Sequence, residues 1–196
     1  MPIGSPPVHV GVLLAGQLDE LGEWLADATA FDAAGADALW VDPAMESELD
    51  PLALLAGLAA LTSRSLLVAA LPGPDRPLVA LARTVATIGR LSHGRLALVA
   101  DPERLEELAA VAPGFEAFHR LPGEPGAFGR ARPGNEAERW VQTPSPEGRA
   151  AWRAALADAA ERGARGLLVP AGPRLLDILR NPDDPGDRRD LQLAQG

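Results

Sequence analysis

The sequence predicts an α/β fold with a parallel sheet, and three observations support that prediction. Over residues 8–110, a short apolar run is followed by a segment of helical periodicity, and this pair occurs four times. Glycine follows the helical segments, as at Gly35 and Gly94, where helices commonly end. Asp50-Pro51 and Asp101-Pro102 each combine an N-cap residue with proline at the first helical position.

The elements of this first part follow from their apolar patterns. A strand buried on both faces is a nearly continuous apolar run, whereas an amphipathic helix repeats its apolar residues every three or four positions. The predicted strands are Val8–Gly16, Ala38–Val41, Leu66–Leu71 and Arg95–Ala100. The predicted helices are Asp19–Ala34, Asp50–Leu61 and Arg76–Leu91, with a fourth beginning at Asp101.

The middle of the chain has a different composition. Six prolines lie between Pro113 and Pro146, and several glycines accompany them, so no long helix is expected there. Two short extended pieces are predicted, Phe115–Leu121 and Arg139–Thr143. Regular elements then resume with a helix from Ser145 to about Arg162, a strand at Gly166–Val169, and a last helix from about Pro173 to before Asn181.

We interpret residues 1–196 as a single domain. Residues 8–110 form regular strand–helix units, 111–146 an irregular segment, 147–180 a closing helix–strand–helix unit, and 181–196 a surface tail. An internal repeat supports the common unit, because residues 24–41 and 152–169 both run from Trp through an Ala-rich helix and Gly-Ala to an apolar strand. The alternative is that helix-to-strand turns of Ala-rich proteins resemble one another by composition.

The strand count bears on whether the sheet is closed or open. A (β/α)₈ barrel takes about 250 residues, so a chain of 196 residues has room for about six or seven units. We count about seven strands, which predicts a truncated or incomplete TIM-type barrel. A doubly wound open sheet is the alternative; it usually carries a Gly-rich turn after its first strand, where this chain has the single Gly16.

Composition excludes several kinds of chemistry and partner. The chain has no Cys, no Tyr and no Lys, which excludes disulfides, thiolate nucleophiles, Schiff-base lysines and tyrosine general acids. The net charge of −9 argues against nucleic acid and anionic membranes as partners. No apolar run approaches the roughly 20 residues of a spanning helix, and the N-terminus is not typical of a signal peptide, so we expect a cytoplasmic protein. No metal site is predicted.

The first half of the chain resembles a known family. Residues 34–41, 50–64 and 77–96 carry the resemblance, above all the helix that ends in Leu91-Ser92-His93-Gly94-Arg95 and continues directly into a strand. This pattern resembles the luciferase-like monooxygenases, which depend on flavin or deazaflavin. The resemblance covers Val8 to Ala100 and implies a TIM-type barrel, FMN or F420 as cofactor, and oxidation by oxygen or hydride transfer.

The chain departs from the family pattern at places that matter for activity. After the second strand it reads Val41-Asp42-Pro43, where many relatives have an Asp-His pair. After the fourth strand it reads Ala100-Asp101-Pro102 in place of a Gly-rich turn. The basic, His-containing turn that relatives have before the third helix is replaced by residues 73–77. These differences indicate a shortened, divergent member.

Candidate site residues are expected at the carboxyl ends of the strands, where barrel active sites lie. The predicted catalytic residues are Asp42 and His119; His119 would be a general base oriented by a nearby glutamate, and its alternative is a solvated loop residue. The predicted cofactor-binding residues are Gly16, Ala70, Leu71, Asp101, Gly172 and Arg174.

Two of these places have a specific expected role. The family often has a non-proline cis peptide against the flavin, and the matching position is Ala70-Leu71; the alternative is an ordinary turn before Pro72. The segment from Pro170 to Arg174 leaves a strand and opens a helix, so its free N–H groups and Arg174 would bind a phosphate. A surface arginine on the last helix is the alternative.

Two functions follow from the resemblance and the departures. The first is a flavin- or F420-dependent oxidoreductase or monooxygenase that acts on a small molecule with a reduced active site. The second is a non-catalytic barrel that binds flavin or acts as a partner through dimerisation. Dimers of the family pack through helices of the first half, and the apolar helix 52–61 suits such a face, so we expect a homodimer or a pair with a relative.

Overall fold

Eight strands close into a barrel in the computed structural model, which describes residues 7–14, 20–41, 49–71, 76–132 and 135–182. The strands are β1 (His9–Leu14), β2 (Ala38–Val41), β3 (Leu66–Ala70), β4 (Leu96–Val99), β5 (Glu116–Arg120), β6 (Ala127–Arg132), β7 (Asn135–Gln142) and β8 (Gly166–Pro170). The helices are α1 (Leu21–Ala33), α2 (Pro51–Leu61), α3 (Leu78–Leu91), α4 (Pro102–Val111), α5 (Arg149–Glu161) and α6 (Pro173–Arg180).

The barrel combines parallel strands with one reversed strand. The strands are hydrogen-bonded in sequence order, and β8 pairs with β1 to close the ring. All neighbours are parallel except that β6 runs antiparallel to β5 and to β7. The chain therefore makes two successive reversals between β5 and β7, where the other connections carry helices.

The α/β class is confirmed, and the count of about seven strands is wrong by one. The structure has eight strands in a closed ring, so the expected truncation of the barrel is also corrected. The missed strand is β6, whose sequence Ala-Phe-Gly-Arg-Ala-Arg has a central glycine and arginine in place of an apolar run. The apolar pattern that predicts a strand is weak here because a charged residue, Arg130, occupies a buried position. Arg130 is 8% exposed and its charge is compensated by ion pairs, which a pattern of apolar residues cannot show.

An outer apolar layer lies between the strands and the helices. It buries the side chains of the helices that face the sheet, including Trp24 of α1 and Trp152 of α5 at 7% and 6% exposure. Both tryptophans therefore pack as the helical periodicity predicts. The strands contribute the alternate residues to this layer, such as Leu39 and Leu167.

The barrel interior is filled by aromatic side chains. Trp40, Phe118, Phe128 and Trp140 belong to one buried cluster, and none is more than 1% exposed. The Trp40 ring lies 4.9 Å from the Phe118 ring and 5.0 Å from the Phe128 ring, as measured between centroids. Since these rings occupy the centre, the interior is a packed core, as in other barrels of this size.

The internal repeat corresponds to one structural unit that occurs twice. In α1–β2 and in α5–β8, the glycine after the helix has a positive φ, +92° at Gly35 and +72° at Gly163. The following alanine donates its N–H to a carbonyl five residues earlier, at 3.1 Å for Ala36 and 2.9 Å for Ala164. These are the hydrogen bonds of a Schellman turn, which directs each chain from helix into strand.

The predicted starts of α2, α4 and α5 agree with the structure to different degrees. The Asp50 carboxylate accepts the N–H of Leu52 at 2.8 Å and caps α2 as expected. At α4, Pro102 occupies the first helical position, but the Asp101 side chain makes no capping hydrogen bond. The α5 helix begins at Arg149, after Gly148, and not at the predicted Ser145.

No helix within the described ranges is both long enough and apolar enough to cross a membrane.

Candidate functional site

The mouth of the barrel is the end where the parallel strands finish, and it is where barrel enzymes carry their sites. Because β6 is reversed, its first residues lie at this mouth beside the last residues of β5 and β7. The connections after β1, β2 and β3 also begin here. Predicted residues Gly16 and Asp42 fall in these connections and lie outside the described residues.

Ala70 and Leu71 lie at the mouth at the end of β3, on opposite faces of the sheet. Ala70 packs against the inner aromatic cluster, and Leu71 packs against the outer layer. No cis peptide bond occurs in the part of the chain that the structure describes, so the Ala70–Leu71 bond is trans and the cis expectation does not hold. Of the two, only Ala70 is on the face that a ligand in the mouth could contact.

Asp101 follows β4 and is exposed at the same end of the barrel. Its carboxylate has no capping role in α4, so it remains accessible from solvent at the mouth. The structure thus keeps Asp101 among the candidate ligand-binding residues.

His119 lies on the outer face of the barrel. It follows Phe118, whose ring is in the interior, and successive side chains of a strand point to opposite faces. Its imidazole covers Gly129 of β6, where an added Cβ would lie 2.7 Å from Nε2. The strand alternation therefore separates His119 from the mouth, and its predicted role as a general base has no support from this position.

The phosphate candidate at the start of α6 keeps some of its predicted donors. The N–H of Ala171 is already used, since it donates to the carbonyl of Leu13 at 2.8 Å. The first hydrogen bond inside α6 runs from Leu176 N–H to Gly172 C=O at 3.0 Å, which leaves the N–H groups of Arg174 and Leu175 outside the helical pattern. These two N–H groups and the exposed Arg174 side chain are the donors available to a phosphate at the start of α6.

Arg120 is a mouth residue that the sequence analysis did not single out. It occupies the last position of β5 and shares the inward parity of Phe118. Its guanidinium lies over the ring of Phe128, with 5.4 Å between Cζ and the ring centroid. The signal available in the sequence was this alternation, which is recognisable only once residues 116–120 are known to be a strand.

A second arginine occupies the opposite end of the same hairpin. Arg130 of β6 lies over the Phe118 ring at 5.8 Å and forms ion pairs with Glu116 and Glu138. The buried Arg130 cation is thus neutralised by two carboxylates. This group of three residues lies between β5, β6 and β7 at the lower end of the barrel, which is the end opposite the mouth.

The family-like motif at Ser92–Arg95 also lies at that lower end, away from the mouth. His93 and Gly94 both have positive φ values, +53° and +83°, and they turn the chain from α3 towards β4. The Arg95 guanidinium then donates to the carbonyls of Thr62 and Ser65, at 2.8 and 2.7 Å. This motif therefore holds the turn between α2 and β3, and its role is structural.

Asp32 stabilises the same turn from the other side. Its carboxylate accepts the backbone N–H groups of Ser63, Arg64 and Ser65 at 3.0, 3.1 and 2.7 Å. Burial by itself would raise the pKa of Asp32, but these hydrogen bonds outweigh it and the pKa lies below the ordinary value of 3.8. The charged form of Asp32 is thus the one the fold requires.

No group of three or more acidic or histidine side chains that could hold a metal ion occurs within the described ranges. The donors at the mouth are the Arg120 guanidinium and the N–H groups at the start of α6, whereas the exposed Asp101 carboxylate at the same end is an acceptor. Such a set suits an anionic organic ligand, because it presents cationic and N–H donors above a closed apolar interior.

Comparison with known proteins agrees with the motif reading of the first half. Residues 5–100 match the family model of the luciferase-like monooxygenases. The chain matches no protein among those whose functions have been curated. Among solved structures, the tryptophan synthase of M. tuberculosis is 16% identical with a TM-score of 0.52, over 89% of this chain and 90% of that one. That likeness shows the barrel fold alone.

Two further solved structures share less of their architecture. A riboflavin lyase, solved with modified FMN and riboflavin, is 20% identical with a TM-score of 0.41 over 54% of this chain. The EDTA monooxygenase of Chelativorans sp. BNC1 is 16% identical with a TM-score of 0.46 over 84% of this chain. The chain spans 32% and 64% of the lengths of these two proteins. Residues 5–100 therefore match the luciferase-like monooxygenase family, and the described part of this segment contributes β1 to β4 of the barrel.

Proposed function

We propose that this protein is an oxidoreductase that binds FMN or F420 at the mouth of its barrel and acts on a small molecule there. The family match over residues 5–100 is the observation that carries the proposal. The donors at the mouth are compatible with it, because Arg120 and the start of α6 provide groups for the anionic parts of either cofactor. When bound, such a cofactor would supply hydride transfer or reaction with oxygen.

Different residues at the mouth would bind the phosphate and the ring of this cofactor. The N–H groups at the start of α6 and the Arg174 side chain would hold the phosphate, since both favour an oxyanion. The small side chain of Ala70 would leave room for a flat ring above the aromatic interior. That interior is already filled by Trp40 and Phe128, so the ring would lie above it and not inside the barrel.

Titration with oxidised and reduced FMN and F420, followed by fluorescence and thermal shift, tests the cofactor. We expect a Kd near 1 μM for one of them, about −8 kcal/mol, together with a rise in melting temperature. Riboflavin is the matched control for FMN because it lacks the phosphate. If the start of α6 binds the phosphate, FMN should bind about tenfold more tightly than riboflavin, and Arg174→Gln should remove that difference. Absence of binding by every form would overturn the cofactor proposal.

A second candidate function, a partner barrel that acts through dimerisation, is favoured by an uncovered apolar surface. This surface, the α2–α3 face, consists of the exposed apolar side chains of α2 and α3, and the exposed Arg83 and Arg90 of α3 lie among them. The α2 helix has no charged residue, and a helix apolar on all sides is normally buried. Yet Leu61 and Leu91 are 52% and 46% exposed, and Val79 is 67% exposed.

We propose that a second copy of the chain covers the α2–α3 face. A groove of about 550 Å³ separates the two helices. Small side chains such as Ala53, Ala56 and Ala80 line part of it, and the charged residues Asp50, Arg76 and Arg83 line another part. Small residues allow two helix pairs to approach closely, and each copy would bury the exposed leucines of the other.

The oligomeric state tests this dimer. Ala53→Glu places a charge on the exposed part of the face, and we expect the protein to sediment as a monomer where the wild type sediments as a dimer. The control is Ala110→Glu, a charge of the same sign on the exposed side of α4, which should remain dimeric. A wild-type protein that is monomeric at micromolar concentration would contradict the proposal.

Turnover separates the two candidate functions. Oxidation of reduced FMN or F420 that the protein accelerates supports the oxidoreductase. Binding without any acceleration supports the partner barrel.

A further inference from the structure

The hairpin β5–β6 contains two arginine–phenylalanine pairs that are related by its register. Phe118 lies opposite Arg130, and Arg120 lies opposite Phe128. In each pair the guanidinium lies over the partner ring, at 5.8 Å for Arg130 and 5.4 Å for Arg120. The two pairs are therefore the same structural unit at the two ends of one hairpin, and they can be compared directly.

The two arginines differ in their counter-charges. Arg130, at the lower end, is buried and forms ion pairs with Glu116 and Glu138. Arg120, at the mouth, is exposed and forms no ion pair with any carboxylate of the residues that the structure describes. A buried cation such as Arg130 needs counter-charges within the fold. The Arg120 cation packs over the Phe128 ring and is accessible to an anion from solvent.

The Arg120 guanidinium lies over a ring that is itself held in the core. The Phe128 ring beneath it is fully buried and packs on Trp40 at 5.0 Å between centroids. A guanidinium that is stacked on a fixed ring loses little further freedom when it binds, and its planar fork matches the oxygens of a carboxylate or phosphate. Arg120 is thus preorganised for an oxyanion at the active-site end of the barrel.

We propose that Arg120 binds an oxyanion group of the ligand at the mouth. The inference rests on the proposed function only in taking the mouth as the ligand-binding end. A substrate carboxylate and a cofactor phosphate share this chemistry. Because β5 and β8 are separated by two strands of the closed ring, Arg120 is a site distinct from the start of α6.

The experiment uses the four tryptophan indole N–H signals in a nitrogen–proton correlation spectrum of the full chain without flavin. Trp40 packs on the ring beneath Arg120, whereas Trp24 and Trp152 lie in the outer layer and serve as internal controls. The probes are benzoate, inorganic phosphate and, as the neutral analogue, benzamide. We expect benzoate or phosphate to shift the Trp40 signal saturably, with no shift of the Trp24 and Trp152 signals and no effect of benzamide.

The variants assign the shift to Arg120. Arg120→Met should weaken oxyanion binding about tenfold or more, and Arg120→Lys should restore part of it because the charge remains without the planar fork. Arg162→Gln removes the same charge from an exposed site at the end of α5 and should bind as the wild type does. The two probes distinguish the sources, since benzoate represents a substrate carboxylate and phosphate a cofactor.

Three results would overturn this proposal: no saturable Trp40 shift with either anion, an equal shift with benzamide, or unchanged binding in Arg120→Met. Loss of the shift in Arg174→Gln but not in Arg120→Met would overturn it as well, because the oxyanion would then lie at α6. These spectra are recorded without flavin, so a failure of FMN and F420 to bind would not change them. The oxyanion proposal and the cofactor proposal can therefore be overturned separately.

Discussion

Substitution of Gly166 by alanine should destabilise the protein by about 3 kcal/mol, because it forces a methyl group into the filled interior. A Cβ at this position would lie 2.2 Å from the indole Cδ2 of Trp140, well inside contact distance. The indole cannot move aside, since Trp140 is 1% exposed and packs on Phe118 at 5.7 Å between centroids. The free energy of unfolding from urea denaturation measures the effect.

The matched control is Gly22→Ala in α1, where an added Cβ meets nothing within 4 Å. That substitution should leave the stability unchanged or raise it by up to about 1 kcal/mol, since alanine favours a helix over glycine. A double variant with Trp140→Leu should be less destabilised than the sum of its two single variants, because the smaller side chain accommodates the methyl group. Equal stability of Gly166→Ala and the wild type would show that the interior is not packed in this way.

Substitution of Asp32 by asparagine should reduce the free energy of unfolding by about 2–4 kcal/mol at pH 7. Asparagine keeps the volume of the side chain but presents an amide group to the N–H donors of residues 63–65. At least one of these donors then loses its acceptor, and the charge that faces Arg95 is removed. Urea denaturation compares the variant with Asp27→Asn, an exposed carboxylate on the same helix whose loss should change little.

The contribution of Asp32 should also depend on pH. Because the folded protein lowers the pKa of Asp32 from 3.8, its stabilisation is fully present above pH 3.8 and is lost as the pH falls through the lower, folded value. The stability difference between the wild type and Asp32→Asn should therefore be constant near neutral pH and shrink in acid. A difference that does not shrink in acid would count against the hydrogen-bonded carboxylate.

The regular half of the fold could be predicted from the sequence because its signals are local. Caps, glycine turns and apolar periodicity each involve neighbouring residues, and they identified four strand–helix pairs and the repeated Schellman turn. The strand β6 could not be found in this way. Its inward residues Phe128 and Arg130 are an apolar and a charged side chain, so the alternation that marks a strand is broken.

The candidate site was predicted less well than the fold. Predicting the positions of His119 and Arg120 requires knowing which residues of β5 face inward. A shift of one residue exchanges the inward and outward side chains, so it decides which of the two faces the mouth. The chemistry of an imidazole favoured His119 as a site residue, whereas the position of Phe118 in the interior directs His119 outward and Arg120 inward. Ala70 and Asp101 were placed correctly at the mouth end because each directly follows a strand that the apolar pattern had identified.

The sequence by itself determined the α/β class, the order of the regular elements and the family resemblance of residues 5–100, because those depend on local patterns and on the motif before β4. Only the tertiary structure decided that the ring closes with eight strands, which requires the pairing of β5, β6 and β7 across long sequence separations. It also decided which arginine of the hairpin is neutralised inside the fold and which faces the mouth. That difference depends on Glu116 of β5 and Glu138 of β7, which only the strand pairing brings to Arg130, and no local pattern of residues records it.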